Sequence, residues 1–474
     1  MHTSTNGHAG GDGVGSSQAP TFRLWLMMVL EFAIWGAWLP LIFGYLPSLG
    51  FSAAQQSWIL NAFPIAAIVG MFFSNQFADR TFAAEKFLAF SHLVGGVAIL
   101  ACGFTRSFWP FFLLMLVHCL LYVPTISITN SIAFAAMKDA TREFGIVRMG
   151  GTIGWILASL PFTFIFVDWE KVREKLPAGA GFVSWIGTVL ANPLAGESLK
   201  EATRWTFIVS GLISLALAAY SLTLPHTPPN KKAAEDGGLA WVDAMKFLRH
   251  PFVLVLWLVT FVDAFVHNCY FNWTGQFLGA TRDTGGVGIP GNWIMPVMSI
   301  GQIAEILTMF ILGATLKRLG WRTTLIIGIL GHALRFAVYA FLPQYPWLIV
   351  AVQVVHGICY AFYFATVYIF VDAYFPKDIR SSAHGLFNLQ ILGLGALAAN
   401  SICPLLMECA NGKGGASALG AWLQATFFRT LGDTPDYRTL FLIPTFAALA
   451  AAAALALAFW PPRSVEAGDG EAAH

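Results

Sequence analysis

Ionisable side chains inside long apolar stretches are the residues of this chain best suited to do chemistry. They are Glu31, Arg148, Asp263, His267, Glu305, Arg335, His356 and Asp372. Placing such a group at the centre of a membrane helix costs ~2.5–3.5 kcal/mol on insertion scales. Each is therefore a candidate for binding a polar solute or carrying a proton, unless a neighbouring group pairs with it.

One helix face brings together residues that could bind a ring. Arg148, Thr152 and Trp155 have the spacing i, i+4, i+7, which places them on one side of a helix. They offer a cation, a hydroxyl and a flat aromatic surface to a polar solute. Gly150 and Gly154 form a small-xxx-small pair, which predicts close approach of another helix. The alternative for Arg148 is an anchor at the cytoplasmic headgroups.

A second face carries an amide and a carboxylate. Gln302 and Glu305 have the spacing i, i+3 and lie on the same side of a helix. Glutamine offers both a donor and an acceptor, and an ionised glutamate accepts hydrogen bonds. A buried carboxylate also tends to take up a proton, so Glu305 is a candidate proton carrier. The alternative is a hydrogen-bonded pair that only packs helices together.

Composition shows which kind of protein must position these residues. Of the 474 residues, 57% are hydrophobic and 11% are charged, whereas soluble domains carry about 25% charged residues. This excludes a soluble multi-domain enzyme. The net charge of +2 comes from balanced signs without a basic stripe, so we expect no nucleic-acid partner. The 6 cysteines lack C-x-x-C spacing, so we expect neither a metal site nor a disulfide framework.

Long apolar segments recur along the chain and predict twelve membrane helices, because about 20 apolar residues span a bilayer and backbone groups in lipid must be paired internally. The segments are 23–46, 57–78, 86–104, 108–136, 145–167, 205–224, 251–279, 292–316, 323–342, 346–374, 382–408 and 438–460. The first is too long for a cleavable signal. We therefore predict an all-α membrane protein with two pseudo-symmetric six-helix halves. The predicted divisions are a tail at 1–20, halves at 21–224 and 250–461, a linker at 225–249 and a tail at 462–474.

Basic residues predict the orientation of these helices. With the N-terminus inside, the short cytoplasmic loops hold Arg80, Lys86, Lys138, Arg142, Lys317, Arg318, Arg322, Lys377 and Arg380. The short loops on the other side hold Arg106 and Arg282. The positive-inside rule then places both termini and the linker in the cytoplasm.

Related segments in the two halves indicate an internal repeat. Residues 77–80 (FADR) follow the second predicted helix, and residues 313–322 (GATLKRLGWR) follow the eighth. Each segment occupies the same place in its half, as expected after duplication of a six-helix unit. Transporters built in this way hold their substrate between the halves near the middle of the membrane.

The layout and loop segments resemble the major facilitator superfamily. Four further segments are similar to its nucleoside:proton symporter family: 123–132 (VPTISITNSI), 148–155 (RMGGTIGW), 299–305 (SIGQIAE) and 334–337 (LRFA). The resemblance implies a monomeric secondary transporter in a bacterial inner membrane. Such a protein moves nucleosides with protons by alternating access, without a cofactor or enzymatic activity. The open alternatives are a proton-coupled or facilitative carrier of sugars or polyols, and a membrane receptor or enzyme that transports nothing.

The resemblance also implies which residues bind substrate. They are Arg148, Thr152, Trp155, His267, Asn268, Gln302, Glu305, His356 and Tyr360, with either His267 or Asn268 in one polar position. His356 stands where the family usually has a tyrosine. In the matched positions, Gln302 would pair with the edge of a nucleobase and Glu305 with ribose hydroxyls.

Two further sets of charges follow from the resemblance. The family's membrane-embedded aspartate falls on Ala361, so we expect Glu305, Asp263 or Glu31 to carry the proton instead. A cytoplasmic charge network is expected at Asp79, Arg80, Lys317, Arg318, Asp372 and Arg380. The alternative for this network is ordinary loop charge.

Overall fold

A computed structural model of the protein describes residues 18–70, 82–137, 140–177, 179–228, 244–376, 380–429 and 434–462. This part of the chain is helical, apart from an isolated antiparallel bridge between Val167 and Pro193. It contains 10 helices long and apolar enough to cross a membrane. The multi-helix membrane architecture predicted from the apolar segments is thereby confirmed.

The helices that surround the centre of the molecule are labelled in chain order. They are α1 (Gln18–Ser48), α2 (Ala53–Leu60), α3 (Ala62–Val69), α4 (Ala84–Cys102), α5 (Phe108–Ala136), α6 (Ala140–Ser159), α7 (Trp205–Ser221), α8 (Pro251–Gly279), α9 (Gly291–Phe341), α10 (Pro346–Tyr374), α11 (Ser382–Ala410) and α12 (Tyr437–Ala458). Shorter helices lie between them, at Phe162–Ile165, Trp169–Lys175, Phe182–Leu190, Gly196–Thr203 and Ala418–Phe427.

α9 is one element of 51 residues broken at a single glycine. Gly320 has φ 72° and ψ 174°, outside the helical region, and separates two helices. Glycine adopts positive φ without the steric cost that a Cβ brings. The sequence predicts a short loop at 317–322, but the structure contains a tight break with helix on both sides.

α10 and α11 each contain one π-helical stretch, at Tyr360–Ala365 and Leu389–Leu394. Such stretches are uncommon and frequently occur at functional sites. The extra residue in the turn changes which side chains face the centre of the molecule. Tyr360, at the start of the first stretch, is one of the predicted binding residues.

Glycines allow α1 and α6 to pack backbone against backbone. A Cβ built on Gly154 would lie 2.1 Å from the carbonyl oxygen of Val29, and one on Gly150 would lie 2.7 Å from that of Trp25. On α1, a Cβ on Gly36 would lie 2.9 Å from Cα of Trp155. The close helix approach predicted from Gly150 and Gly154 is confirmed, and it positions the face that carries Arg148.

Hydrogen bonds join early and late parts of the chain on the side where α1 connects to α2. The backbone amide of Ala53 donates to Glu408 Oε1 at 2.8 Å, and Asn61 Nδ2 donates to Ser401 Oγ at 2.8 Å. Asn400 Nδ2 donates to the carbonyl of Leu60 at 3.0 Å. These bonds hold α2 against α11.

Candidate functional site

A cavity of about 740 Å³ lies at the centre of the molecule, with walls from α1, α3, α5 and α6 on one side and α8, α9, α10 and α11 on the other. All the predicted binding residues line it: Arg148, Thr152, Trp155, His267, Asn268, Gln302, Glu305, His356 and Tyr360. They come from four helices, α6, α8, α9 and α10, and the fold brings them to one place.

Arg148 is held in the cavity wall by its neighbours on α1 and α6. Its guanidinium carbon lies 4.3 Å from the centre of the Phe32 ring, a cation–π contact. Gly151 leaves the space for it, since a Cβ there would be 2.5 Å from Arg148 Nη1 and 2.8 Å from Phe32 Cδ2. The guanidinium therefore reaches the cavity because residue 151 has no side chain.

Aromatic rings form much of the same wall. Trp35 stacks on Phe63 with ring centroids 4.6 Å apart and an interplanar angle of 14°, and it meets the edge of Trp155 at 5.2 Å. Phe271, from the opposite wall, lies 6.3 Å from Trp155. Flat apolar faces of this kind accept a planar ring by stacking, which is worth ~1–3 kcal/mol per base in nucleic-acid complexes.

The opposite wall carries the amide and the carboxylate of α9. Gln302 is buried, and its Oε1 has no hydrogen-bond partner among the described residues. Glu305 is half-buried in the cavity and interacts electrostatically with Arg148 from the facing wall. The cation and the carboxylate thus lie on opposite sides of one cavity.

Histidines from α8 and α10 pack together beside this wall. The rings of His267 and His356 stack with centroids 5.1 Å apart. Nδ1 of His267 is buried without a partner in the described part of the chain, whereas Asn268 Nδ2 bonds to Ala264 O at 2.8 Å on its own helix. Both side chains line the cavity, and the unpartnered atom belongs to the histidine.

Several polar atoms of the wall are buried without a hydrogen bond to any described residue. They are Nε1 of Trp35, Nε1 of Trp38, Oδ1 of Asn130, Nδ1 of His267 and Oε1 of Gln302. Buried polar atoms are nearly always paired, so unpartnered donors and acceptors on residues that line one cavity are the arrangement that a polar ligand would complete.

Trp35, Trp38 and Asn130 are cavity residues that sequence reasoning did not select. Asn130 lies within the segment 123–132 that carries the family resemblance, and the two tryptophans lie on α1 within about two helical turns of Glu31. The sequence criterion was the free-energy cost of an ionisable group inside a membrane helix, and tryptophan and asparagine side chains are uncharged.

The three candidate proton carriers have different surroundings. Glu305 lines the cavity. Glu31 is fully buried and paired, with His92 Nε2 at 2.9 Å and Thr125 Oγ1 at 2.8 Å. Asp263 is also buried, but neither of its oxygens has a hydrogen-bond partner among the described residues.

The predicted cytoplasmic charges are only partly described. Asp79 and Arg80 lie outside the described residues. Asp372 Oδ1 is 3.8 Å from Arg380 Nε and 2.9 Å from His384 Nε2, and His384 lines the cavity. Lys317 and Arg318 are exposed near the break in α9. The structure therefore brings Asp372 and Arg380 together and adds a histidine that was not predicted.

A family model described as nucleoside H+ symporter matches residues 19–176 and 178–464. The chain belongs to the nucleoside H+ symporter family. It is 31% identical over 396 residues to YegT of Escherichia coli K12, covering 82% of this chain and 84% of YegT. Xanthosine permease of the same organism is 25% identical over 400 residues, 79% of this chain and 84% of the permease.

Solved structures show that the symporter shares a fold with characterised transporters. The crystal structure of the nucleoside transporter NupG superimposes with a TM-score of 0.72 at 21% identity, covering 93% of this chain and 99% of NupG. Together with the family match, this identifies the symporter as a multi-pass membrane protein that couples nucleoside transport to protons.

Proposed function

We propose that this symporter imports nucleosides across a bacterial inner membrane by alternating access of two halves. Two features of the helices support twelve membrane crossings. α9 is broken at Gly320 and supplies two, and α2 with α3 belongs to another. The halves are then residues 21–224 and 250–461, joined by a cytoplasmic linker at 225–249. The basic loops favour cytoplasmic termini, and the proposed unit is a monomer in the lipid bilayer.

The observation that carries the proposal is the pairing of aromatic faces with unpartnered polar atoms around one cavity. A nucleoside has a planar base that stacks, a base edge with donors and acceptors, and a ribose with hydroxyls. We assign Trp155 to the base face, Gln302 to the base edge and Glu305 to the ribose hydroxyls.

The remaining cavity residues complete the proposed site. Arg148 and Thr152 bind from the first half, while His267, Asn268, His356 and Tyr360 bind from the second. Because these side chains belong to facing walls, substrate would contact both sets best when the halves approach each other. A ligand shifts such an equilibrium only by binding the states with different affinity.

Proton coupling in the proposed mechanism uses an acid other than the one usual in the family. Ala361 is fully buried and cannot titrate. Glu305 or Asp263 takes the proton instead, with Glu31 as the remaining buried candidate. If Glu305→Gln and Asp263→Asn both keep the uptake of the unchanged protein across a pH gradient, neither residue is the carrier.

The proposed cytoplasmic gate includes Asp79, Arg80, Lys317, Arg318, Asp372 and Arg380. The contacts of Asp372 with Arg380 and His384 support a cluster at the inner ends of α10 and α11. On the outer side, the bonds from Asn61 and Asn400 to the opposing half support a closed outer gate.

Uptake into proteoliposomes tests the proposed substrate class. Radiolabelled uridine or adenosine should accumulate when the interior is alkaline, and unlabelled nucleosides should compete while D-xylose should not. Arg148→Gln should raise the KM of this uptake. Arg173→Gln, in a short helix away from the cavity, is the matched control and should transport normally. Competition by D-xylose would instead support a sugar carrier, and ligand binding without flux would support a receptor.

A further inference from the structure

A buried chain of polar side chains runs from Asp263 to the cavity. His332 Nε2 lies 3.7 Å from Asp263 Oδ1. On the other side of that ring, His332 Nδ1 lies 2.9 Å from Arg335 Nη2. Arg335 Nη1 lies 2.8 Å from His356 Nδ1, and His356 lines the cavity. We call Asp263, His332, Arg335 and His356 the buried relay.

The chemistry of arginine determines the protonation of both histidines. A guanidinium can only donate hydrogen bonds, so Nδ1 of His332 and Nδ1 of His356 must both accept. Each ring is therefore neutral with its proton on Nε2. For His332 that proton faces the carboxylate of Asp263.

The relay contains one permanent cation, Arg335, and one carboxyl group, Asp263. Arg335 is fully buried and always charged, and its charge attracts Asp263. The other titratable groups that act with Asp263 are Tyr363 and Cys359 from α10. The described residues of α11 and α12 add no charge that acts on Asp263. When it is ionised, Asp263 is the anion that balances Arg335.

Protonation of Asp263 would remove this balance. A lone buried cation is expensive, so Arg335 would move towards a more polar site. Besides His332, it contacts the ring of Tyr270, 4.1 Å away, the ring of Phe336 and His356. The ring of His356 stacks on His267 and packs against Gly301, next to Gln302. A shift of Arg335 would therefore move His356 and change its packing against His267 and Gly301 at the cavity wall.

We propose that Asp263 binds the co-transported proton and that Arg335 is the positioning residue that communicates its charge to the cavity through His356. This inference rests on the proposed function and selects one of its candidate acids. Asp263 and His267 also have the spacing i, i+4 on α8, so they share a face. The acid is therefore connected to the cavity through two helices.

The test separates coupling from substrate binding in proteoliposomes. Uridine accumulation under an imposed pH gradient requires coupling, whereas counterflow exchange of uridine without a gradient does not. A gradient of about one pH unit can drive about tenfold accumulation at one proton per nucleoside. Asp263→Asn should lose this accumulation and the uridine-dependent acidification of the interior, while counterflow continues.

Glu85→Gln is the matched control, because Glu85 is another buried carboxylate that pairs with a histidine, His226, at 2.8 Å. It should keep both gradient-driven accumulation and counterflow. Arg335→Gln should weaken accumulation and raise the KM of counterflow. A higher KM at an unchanged maximal rate indicates an altered cavity, whereas a merely structural defect would also lower the maximal rate. If Asp263→Asn cannot be purified, His332→Gln should lose gradient stimulation with counterflow intact.

If Asp263→Asn keeps gradient-driven accumulation, the inference is wrong and nucleoside transport still stands. The same holds for His332→Gln if that variant is measured in place of Asp263→Asn. Absence of nucleoside accumulation and counterflow in the unchanged protein would instead overturn the proposed function, and the inference with it.

Discussion

The side-chain amide of Asn400 on α11 donates a hydrogen bond of 3.0 Å to the backbone carbonyl of Leu60 on α2. Asn400 also accepts a bond of 3.0 Å from Asn272 on α8, and it lines the central cavity. One buried amide thus connects the two proposed halves at the outer end of the site.

We expect Asn400→Leu to weaken the closed outer side. A hydrogen bond contributes about 0.5–1.5 kcal/mol net, which corresponds to a shift of about two- to tenfold towards outward-open states. Gln56→Cys, in the smaller cleft beside this contact, would report it by faster thiol labelling, since the described native cysteines are all buried. Asn192→Ala, in the segment between α6 and α7, should leave labelling unchanged. Equal labelling rates with and without Asn400→Leu would contradict this account.

The contact between Gly154 and Val29 predicts a stability change. Gly154→Ala would put a methyl group 2.1 Å from the Val29 carbonyl oxygen, and overpacking of this kind costs typically about 1–3 kcal/mol. Gly145→Ala on the same helix is the control, because a Cβ there meets nothing within 4 Å. Thermal unfolding in detergent should show a lower Tm for Gly154→Ala only. A Tm for Gly154→Ala that is no lower than that of Gly145→Ala would contradict this account.

Gly151 should act on substrate binding through Arg148. Gly151→Ala would displace the guanidinium, whose Nη1 lies 2.5 Å from the built Cβ, and we expect a higher KM for uridine. In a double-mutant cycle, Gly151→Ala should add little once Arg148→Ala is present, because the two changes remove the same contact. Additive effects on KM would show that residue 151 acts by another route.

Trp155 should contribute by stacking. Trp155→Leu removes the aromatic face, and a loss of ~1–3 kcal/mol corresponds to a KM raised by about 5- to 100-fold. Trp155→Phe should keep part of this affinity. Trp169→Leu, which removes a ring packed on Trp185 at 6.4 Å outside the cavity, is the control, and its uptake kinetics should match those of the unchanged protein.

Much of the architecture could be predicted from the amino-acid sequence alone. Long apolar segments predict membrane helices because lipid leaves the backbone no other partners, and the helical period places Arg148 and Trp155 on one face whatever surrounds them. Gly150 and Gly154 likewise predicted close packing, because small residues at that spacing let two membrane helices approach each other closely.

The tertiary structure alone decided which helices meet at the cavity and how its polar groups are paired. Trp38 and Asn130 carry no charge, and only the fold shows that both line the cavity and have atoms without a hydrogen-bond partner among the described residues. Asp263, Glu31 and Glu305 look alike in sequence. Among the described residues, however, Asp263 has no hydrogen-bond partner, Glu31 is paired with His92 and Glu305 faces Arg148. Partners that come from distant helices set these differences, because the electrostatic cost of a buried charge depends on its neighbours in space.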